Sequence, residues 1–195
     1  MERVVAIRPI RYLGDPVLRQ PAKKVRQVDD AIRHLVEDMI ESMYAAQGVG
    51  LAAPQIGVPL RVVVLGMPDE EPFALINPVV VRATGTRRLE GEGCLSVPGY
   101  RGVITRSEKV VVRALDLKGK EIRVRAENNL LAEALEHEVD HVNGILYVDR
   151  IDTKTDLFKL DSTDWATARP IEEREADEDE EAVTELSSGG VSSNG

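Results

Sequence analysis

Cysteine occurs once in this 195-residue chain and histidine three times. A single cysteine, Cys94, excludes an internal disulfide framework and leaves a thiol that is structural, reactive or metal-binding. No apolar stretch approaches the roughly 18–20 residues needed to cross a bilayer. The opening MERVVAIRPIRYLGDPVLR has charges inside any signal core, so a cytoplasmic protein without membrane segments is expected. No internal repeat is visible. An excess of positive charge is also missing: residues 161–195 hold 11 of the 34 acidic residues and 2 of the 25 basic ones. The rest of the chain is therefore neutral, and the whole net charge of −9 lies in the C-terminal stretch.

What is present reads as one globular domain with its own core, at 21.5 kDa. DDAIRHLVEDMIESMYAAQG starts with cap-forming aspartates and puts Ile32, Leu35, Val36, Met39, Ile40 and Met43 at helical spacing, stopping at Gly48. This predicts an N-terminal amphipathic helix. From residue 60 to about 126 the pattern turns to short β-rich runs, RVVVLGM, FALINPVVVRA, KVVVRALDL and EIRVRA. DLKGKEI reads as a hairpin turn between the last two, so antiparallel sheets are expected. ENNLLAEALEHEVDHVNG returns to helical spacing and stops at Gly144. The expected class is α+β, with a catalytic domain over residues 1–165. Residues 166–195, dense in acid and then in Ser and Gly, are expected to be a disordered tail, with Trp165 anchoring its start.

The second helix carries HEVDH. On a helix His137 and His141 stand about 40° apart in projection and one turn apart in height, so both rings can reach one ion. Glu138 comes off the adjoining side, the arrangement of zinc-type hydrolases whose glutamate takes a proton from a water activated by the ion. A third ligand is needed. Tyr147 stands where some metalloproteases place a third histidine. His34 falls among Arg33, Glu37 and Asp38 on the polar side of the first helix and reads as a solvated surface residue. The glutamates from Glu172 onward lie in the acidic stretch. Cys94, in the Gly-rich loop EGEGCLSVPG, remains: a thiolate is a strong ligand for zinc or ferrous iron. Leu95 N–H, beside it, lies where an oxyanion donor belongs. In GVGLAAPQIG (48–57), Gln55 offers an amide that could face an oxyanion, although composition alone favours a structural glutamine in a helix-to-strand turn.

Gly48–Gln55, Glu92–Ser96 and His137–His141, taken together and in this order, resemble the three motifs of peptide deformylases over roughly residues 5–160. YLGDPVLR is similar to that family's opening. The resemblance implies antiparallel sheets packed around a central HExxH helix. It implies removal of the formyl group from the N-terminal formylmethionine of new polypeptides, releasing formate. It gives metal ligands Cys94, His137 and His141, a general acid/base Glu138, and oxyanion donors Gln55 and Leu95 N–H. Substrate backbone contacts would come from Val49, Gly50, Gly93 and Leu95, with a methionine pocket shaped by Val49, Glu92, Leu130, Ala134 and the His137 ring. Glu133 is expected to point to solvent. The implied cofactor is one divalent ion, Fe2+ first, with Zn2+, Ni2+ or Co2+ as alternatives. The implied partners are nascent chains near the ribosome, met by a monomer whose acidic tail is repelled by nucleic acid.

Overall fold

The computed structural model describes residues 4–151, 153 and 156–160. The expected tail and Trp165 lie outside the described residues. Within them the order is α1 (Asp30–Ala45), β1 (Gly50–Ala52), β2 (Val62–Leu65), β3 (Phe73–Thr84), β4 (Arg87–Cys94), β5 (Val97–Arg106), β6 (Lys109–Leu115), β7 (Glu121–Glu127), α2 (Leu130–Val142) and β8 (Leu157–Lys159). The fold is α+β. Five strands form one sheet in the order β1-β2-β3-β6-β7 and three form another, β4-β5-β8, with every pairing antiparallel. The β6–β7 turn is held by Asp116, whose Oδ1 accepts from Lys118 N and Lys120 N at 2.8 and 2.9 Å, with Gly119 at φ +76°.

The run VVVL of β2 is apolar throughout because both its faces are covered. Val63 and Leu65 pack with Leu135, Val139 and Val142 of α2, whereas Val62 and Val64 pack with Ile32, Val36, Met39 and Met43 of α1. The sheet is thus sandwiched between the two helices at its β1–β3 end. Met39 and Met43 have no exposed surface, and burial of such a side chain contributes about 1.5–3 kcal/mol.

Asp29 caps α1, accepting from Ile32 N at 3.0 Å. The helix ends at Ala45, earlier than the glycine expected to stop it. Gln47 takes the left-handed conformation at φ +57°, and Gly48 N donates back to Met43 O at 2.9 Å, closing a two-bond C-terminal cap. Asp38 departs from the polar side assigned to it. It is fully buried and accepts from Ala6 N at 2.9 Å and Arg8 Nε at 3.1 Å, because the N-terminal segment runs along that face.

The stretch around Cys94, expected to be a Gly-rich loop, is strand. β4 and β5 form a hairpin joined by the turn residues Leu95 and Ser96, with register shifts at Leu89/Glu92 and Gly93/Cys94. Such bulges re-aim side chains, and here they fall where the cysteine sits.

Candidate metal centre

α2 begins at Asn129, whose Oδ1 accepts from Ala132 N at 2.9 Å. It ends where Gly144, at φ +79°, comes so close to the backbone of Arg19 and Gln20 that a Cβ would lie 2.9 Å from their carbonyl carbons. Arg61 donates to Val142 O at 3.1 Å and Asn143 Oδ1 at 2.7 Å, placing a cation at the negative end of the helix. Fixed this way, α2 presents His137 and His141 one turn apart, and the end of β4 brings Cys94 to them. Cys94 Sγ lies 3.2 Å from His141 Nε2, and the two Nε2 atoms lie 3.1 Å apart. All three ligand atoms fall within 4.8 Å of one another, and all three residues are buried.

Three lone-pair donors converging in a buried space fit a divalent ion at about 2.0–2.3 Å from each. The electrostatics fit as well. Burial alone would lower the pKa of His137, but Glu92 and Cys94 overcome that and hold it well above the ordinary histidine value, so the space favours positive charge. His141, pushed well below its ordinary value by burial and by His137, is a neutral donor.

The orientation of His137 comes from behind. Its Nδ1 lies 2.5 Å from Glu92 Oε1, which leaves Nε2 facing the other ligands. Glu92 is gripped in turn by Arg106, through Nε at 2.9 Å and Nη2 at 2.6 Å. Burial would raise the Glu92 pKa, but Arg106 and His137 outweigh it and hold it at about 2. Arg106 also donates to Asp140 at 2.6 Å, and Asp140 accepts twice from Arg150. Charges therefore alternate along Glu92, Arg106, Asp140 and Arg150, and no buried charge in the series lacks an opposite neighbour.

Glu138 is buried, and burial raises its pKa to about 7. Its Oε2 has no hydrogen-bond partner among the described residues. A Cβ on Gly50 would lie 2.5 Å from Glu138 Oε1, so the carboxylate occupies the space that a side chain there would fill. Gln55, in a tight 3-10 turn (Ala53–Ile56), is locked in place: its Oε1 accepts from Ala52 N at 2.8 Å, and its Nε2 reaches Ser96 Oγ at 3.2 Å and lies 3.7 Å from Cys94 Sγ. A cleft of about 280 Å3 opens over this group, lined by Val49, Gly50, Gln55, Glu92, Gly93, Leu95, Leu130 and Ala134 as well as Cys94, His137 and Glu138. It is bordered by β1 and β4, which are edge strands of their respective sheets.

The profile of the polypeptide deformylase family matches residues 7–156. The chain belongs to the peptide deformylase family. It is 47% identical over 161 residues to the peptide deformylase of Dehalococcoides mccartyi strain CBDB1, covering 82% of this chain and 95% of that one. The crystal structure of a peptide deformylase from Legionella pneumophila superposes with a TM-score of 0.72 at 48% identity, covering 75% of this chain and 87% of that one. A class I type b peptide deformylase from Acinetobacter baumannii, solved with Met-Ala-Ser bound, gives 0.72 at 30% identity over 76% of this chain and all of that one. Peptide deformylases remove the N-formyl group from the N-terminal methionine of newly made polypeptides with a single metal ion, and this chain is a hydrolase of that kind. No helix among the described residues is long and apolar enough to cross a membrane.

Within this deformylase, Glu133 sits otherwise than expected, and Glu92 and Tyr147 make contacts that the sequence did not reveal. Glu92 borders the cleft, and its carboxylate is engaged by His137 and Arg106. Glu133 does not stand in solvent: it is half-buried in the cleft lining and paired with Arg87 at 3.5 Å. Tyr147 is buried, with its ring stacked on that of His137 at a centroid distance of 6.4 Å. His34 is exposed, as expected. Sequence reasoning passed over Arg106 and Asp140. Only Asp140 carried a signal, since a carboxylate three residues after a buried histidine shares its side of the helix and needs a buried partner.

Proposed function

We propose that Cys94, His137 and His141 hold one divalent ion, and that the residues around it divide the work of deformylation. A bound ion would supply Lewis acidity toward a water and toward the formyl oxygen. Glu138 takes the proton from that water and returns it to the amine that leaves, so that formate and a free methionine amine result. A carboxyl whose pKa stands at about 7 suits a group that must both accept and donate near neutrality. Gln55 Nε2 and Leu95 N–H donate to the oxygen on which negative charge develops. The substrate lies as an added strand between β1 and β4, touching the backbone of Val49, Gly50, Gly93 and Leu95. Its methionine side chain rests among Val49, Leu130, Ala134 and the His137 ring, with Glu92 behind. That the A. baumannii relative was solved with Met-Ala-Ser bound supports a peptide as the ligand.

The observation that carries this reading is the convergence of one sulfur and two imidazole nitrogens beside a buried carboxylate with an oxygen unpartnered among the described residues. Glu138→Gln is expected to keep stoichiometric metal and to lose formate release from formyl-Met-Ala-Ser almost entirely. Near-normal turnover would refute the assignment. The donor set suits iron, zinc, nickel or cobalt, and ferrous iron is the proposed ion in the cell. Metal analysis of anaerobically purified protein, with activity measured before and after exposure to air, separates iron from zinc. The reading extends to setting: residues 1–165 form the catalytic domain of a monomer working in the cytoplasm near the ribosome, and the acidic residues 166–195 make no direct contact with nucleic acid.

A further inference from the structure

The five-stranded sheet carries a second charged feature, on the face turned away from α2. On β6 and β7 the side chains of Val110, Val112, Ala114 and Ala126 are buried against α2, so the alternate positions point the other way. The register sets Arg113 opposite Arg123, and sets Val111 between Arg82 of β3 and Arg125 of β7. Four exposed arginines thus occupy two neighbouring rows of one open sheet face. Like charges opposed across a ladder are destabilising. Lys109, at the end of this face, is answered by Glu127 at 2.7 Å, whereas none of the four arginines has a carboxylate within ion-pair distance among the described residues. Val79 and Val81, 38% and 44% exposed, lie beside them.

The complement is in the same chain. Residues 172–181 hold eight carboxylates and one arginine, and Ile171, Val183 and Leu186 flank them. The described chain closes at Leu160, bonded to Gly99 O. The intervening residues 161–171, at up to about 3.3–3.6 Å each, reach on the order of 35 Å. That is about twice the radius of gyration of a domain of this size, about 15 Å by the usual scaling. We propose that residues 171–186 bind this face in cis, their carboxylates on Arg82, Arg113, Arg123 and Arg125 and their apolar residues against Val79 and Val81. Exposed ion pairs are individually weak, but a tether holds the segment at an effective concentration of about millimolar, so several weak contacts suffice. A polyanion approaching the sheet then meets a face already neutralised.

The test uses the full, zinc-loaded chain with a nitroxide on Glu178→Cys and the amide signals of the sheet as readout; the same labelling of the chain without that substitution controls for Cys94. Signal loss is expected over residues 109–113 and 121–127, independent of protein concentration. It should vanish in Arg113→Gln/Arg123→Gln, in Arg82→Gln/Arg125→Gln, and at 1 M NaCl, where the screening length is about 3 Å. Formate release should be the same in both double variants. Absence of signal loss, loss centred on another surface, or loss retained in either double variant or at 1 M NaCl overturns the proposal. So does loss that grows with protein concentration, which would place a second copy's tail there. A single-stranded RNA oligonucleotide that shifts these amides in the intact chain, where the label does not, overturns it in favour of nucleic acid.

Discussion

Glu92→Gln separates two roles for one residue, a wall of the methionine pocket or the support of a metal ligand. The substitution keeps the volume and removes the charge and one acceptor oxygen. His137 loses the carboxylate, 2.5 Å from its Nδ1, that determines which ring nitrogen carries the proton. Loss of an outer partner of this kind lowers metal affinity about 10–100-fold, or roughly 1.4–2.7 kcal/mol. Arg106, whose side chain is 1% exposed, keeps Asp140 as its one anionic partner among the described residues. Removing one member of a buried ion pair costs on the order of 3–5 kcal/mol of folding stability. The lower end is expected, since glutamine still offers one oxygen to Arg106. Competition of a chelator against the cobalt-loaded protein, followed by the thiolate-to-cobalt absorption, reads the first quantity, and urea unfolding reads the second. Formate release at saturating metal then shows what the remaining site can do. A chelator titration that superimposes on that of the unsubstituted protein, with only a changed KM for peptides bearing other first side chains, would refute the supporting role.

Two glycines give sharper, more local predictions. Gly50→Ala puts a Cβ where Glu138 Oε1 lies, 2.5 Å away, so the carboxylate must move. A displacement of about 1 Å costs around 10²-fold in rate, and kcat for formate release should fall by that order at unchanged metal content. An unaltered kcat would mean that the position of Glu138 is not critical. Gly144→Ala forces a side chain into a left-handed conformation against the backbone of Arg19 and Gln20. A loss of about 1–3 kcal/mol in urea unfolding is expected, with normal kcat for the folded protein. Unchanged stability would show that the segment before α1 yields freely to the end of α2.

The parts legible in the sequence are those where one periodicity dominates. The stripe from Ile32 to Met43 marked α1, the valine runs marked β2, β3 and β6, and the HEVDH spacing put two imidazoles on one side of α2. β4 and β5 were hidden by glycines that suggest a loop. Gly102 is small for a different reason: a Cβ there would lie 2.9 Å from Tyr147 and 3.0 Å from Ile151. Asp38 looked solvent-facing on the helical wheel, and only the distant N-terminal segment makes it a buried acceptor. Cys94 could be reached as the third ligand by eliminating Tyr147, His34 and the later glutamates, whereas Arg106 has no local signature, because its contacts join β5 to residues 14 and 34 positions away.

The two strands that border the cleft also bear on self-association. An open sheet edge invites pairing with the edge of another copy, the first step toward insoluble assemblies. β1 is only three residues long, too short to template an extended neighbour. β4 is longer, but its ladder is broken by two register shifts, and Arg88 and Glu90 stand charged along it. A single peptide in the proposed place between both edges would meet backbone on two sides, whereas a second folded copy could offer its edge to only one of them. Shortness, bulging and charge thus allow a protein to keep two strands available for a guest without turning them into sites of self-association.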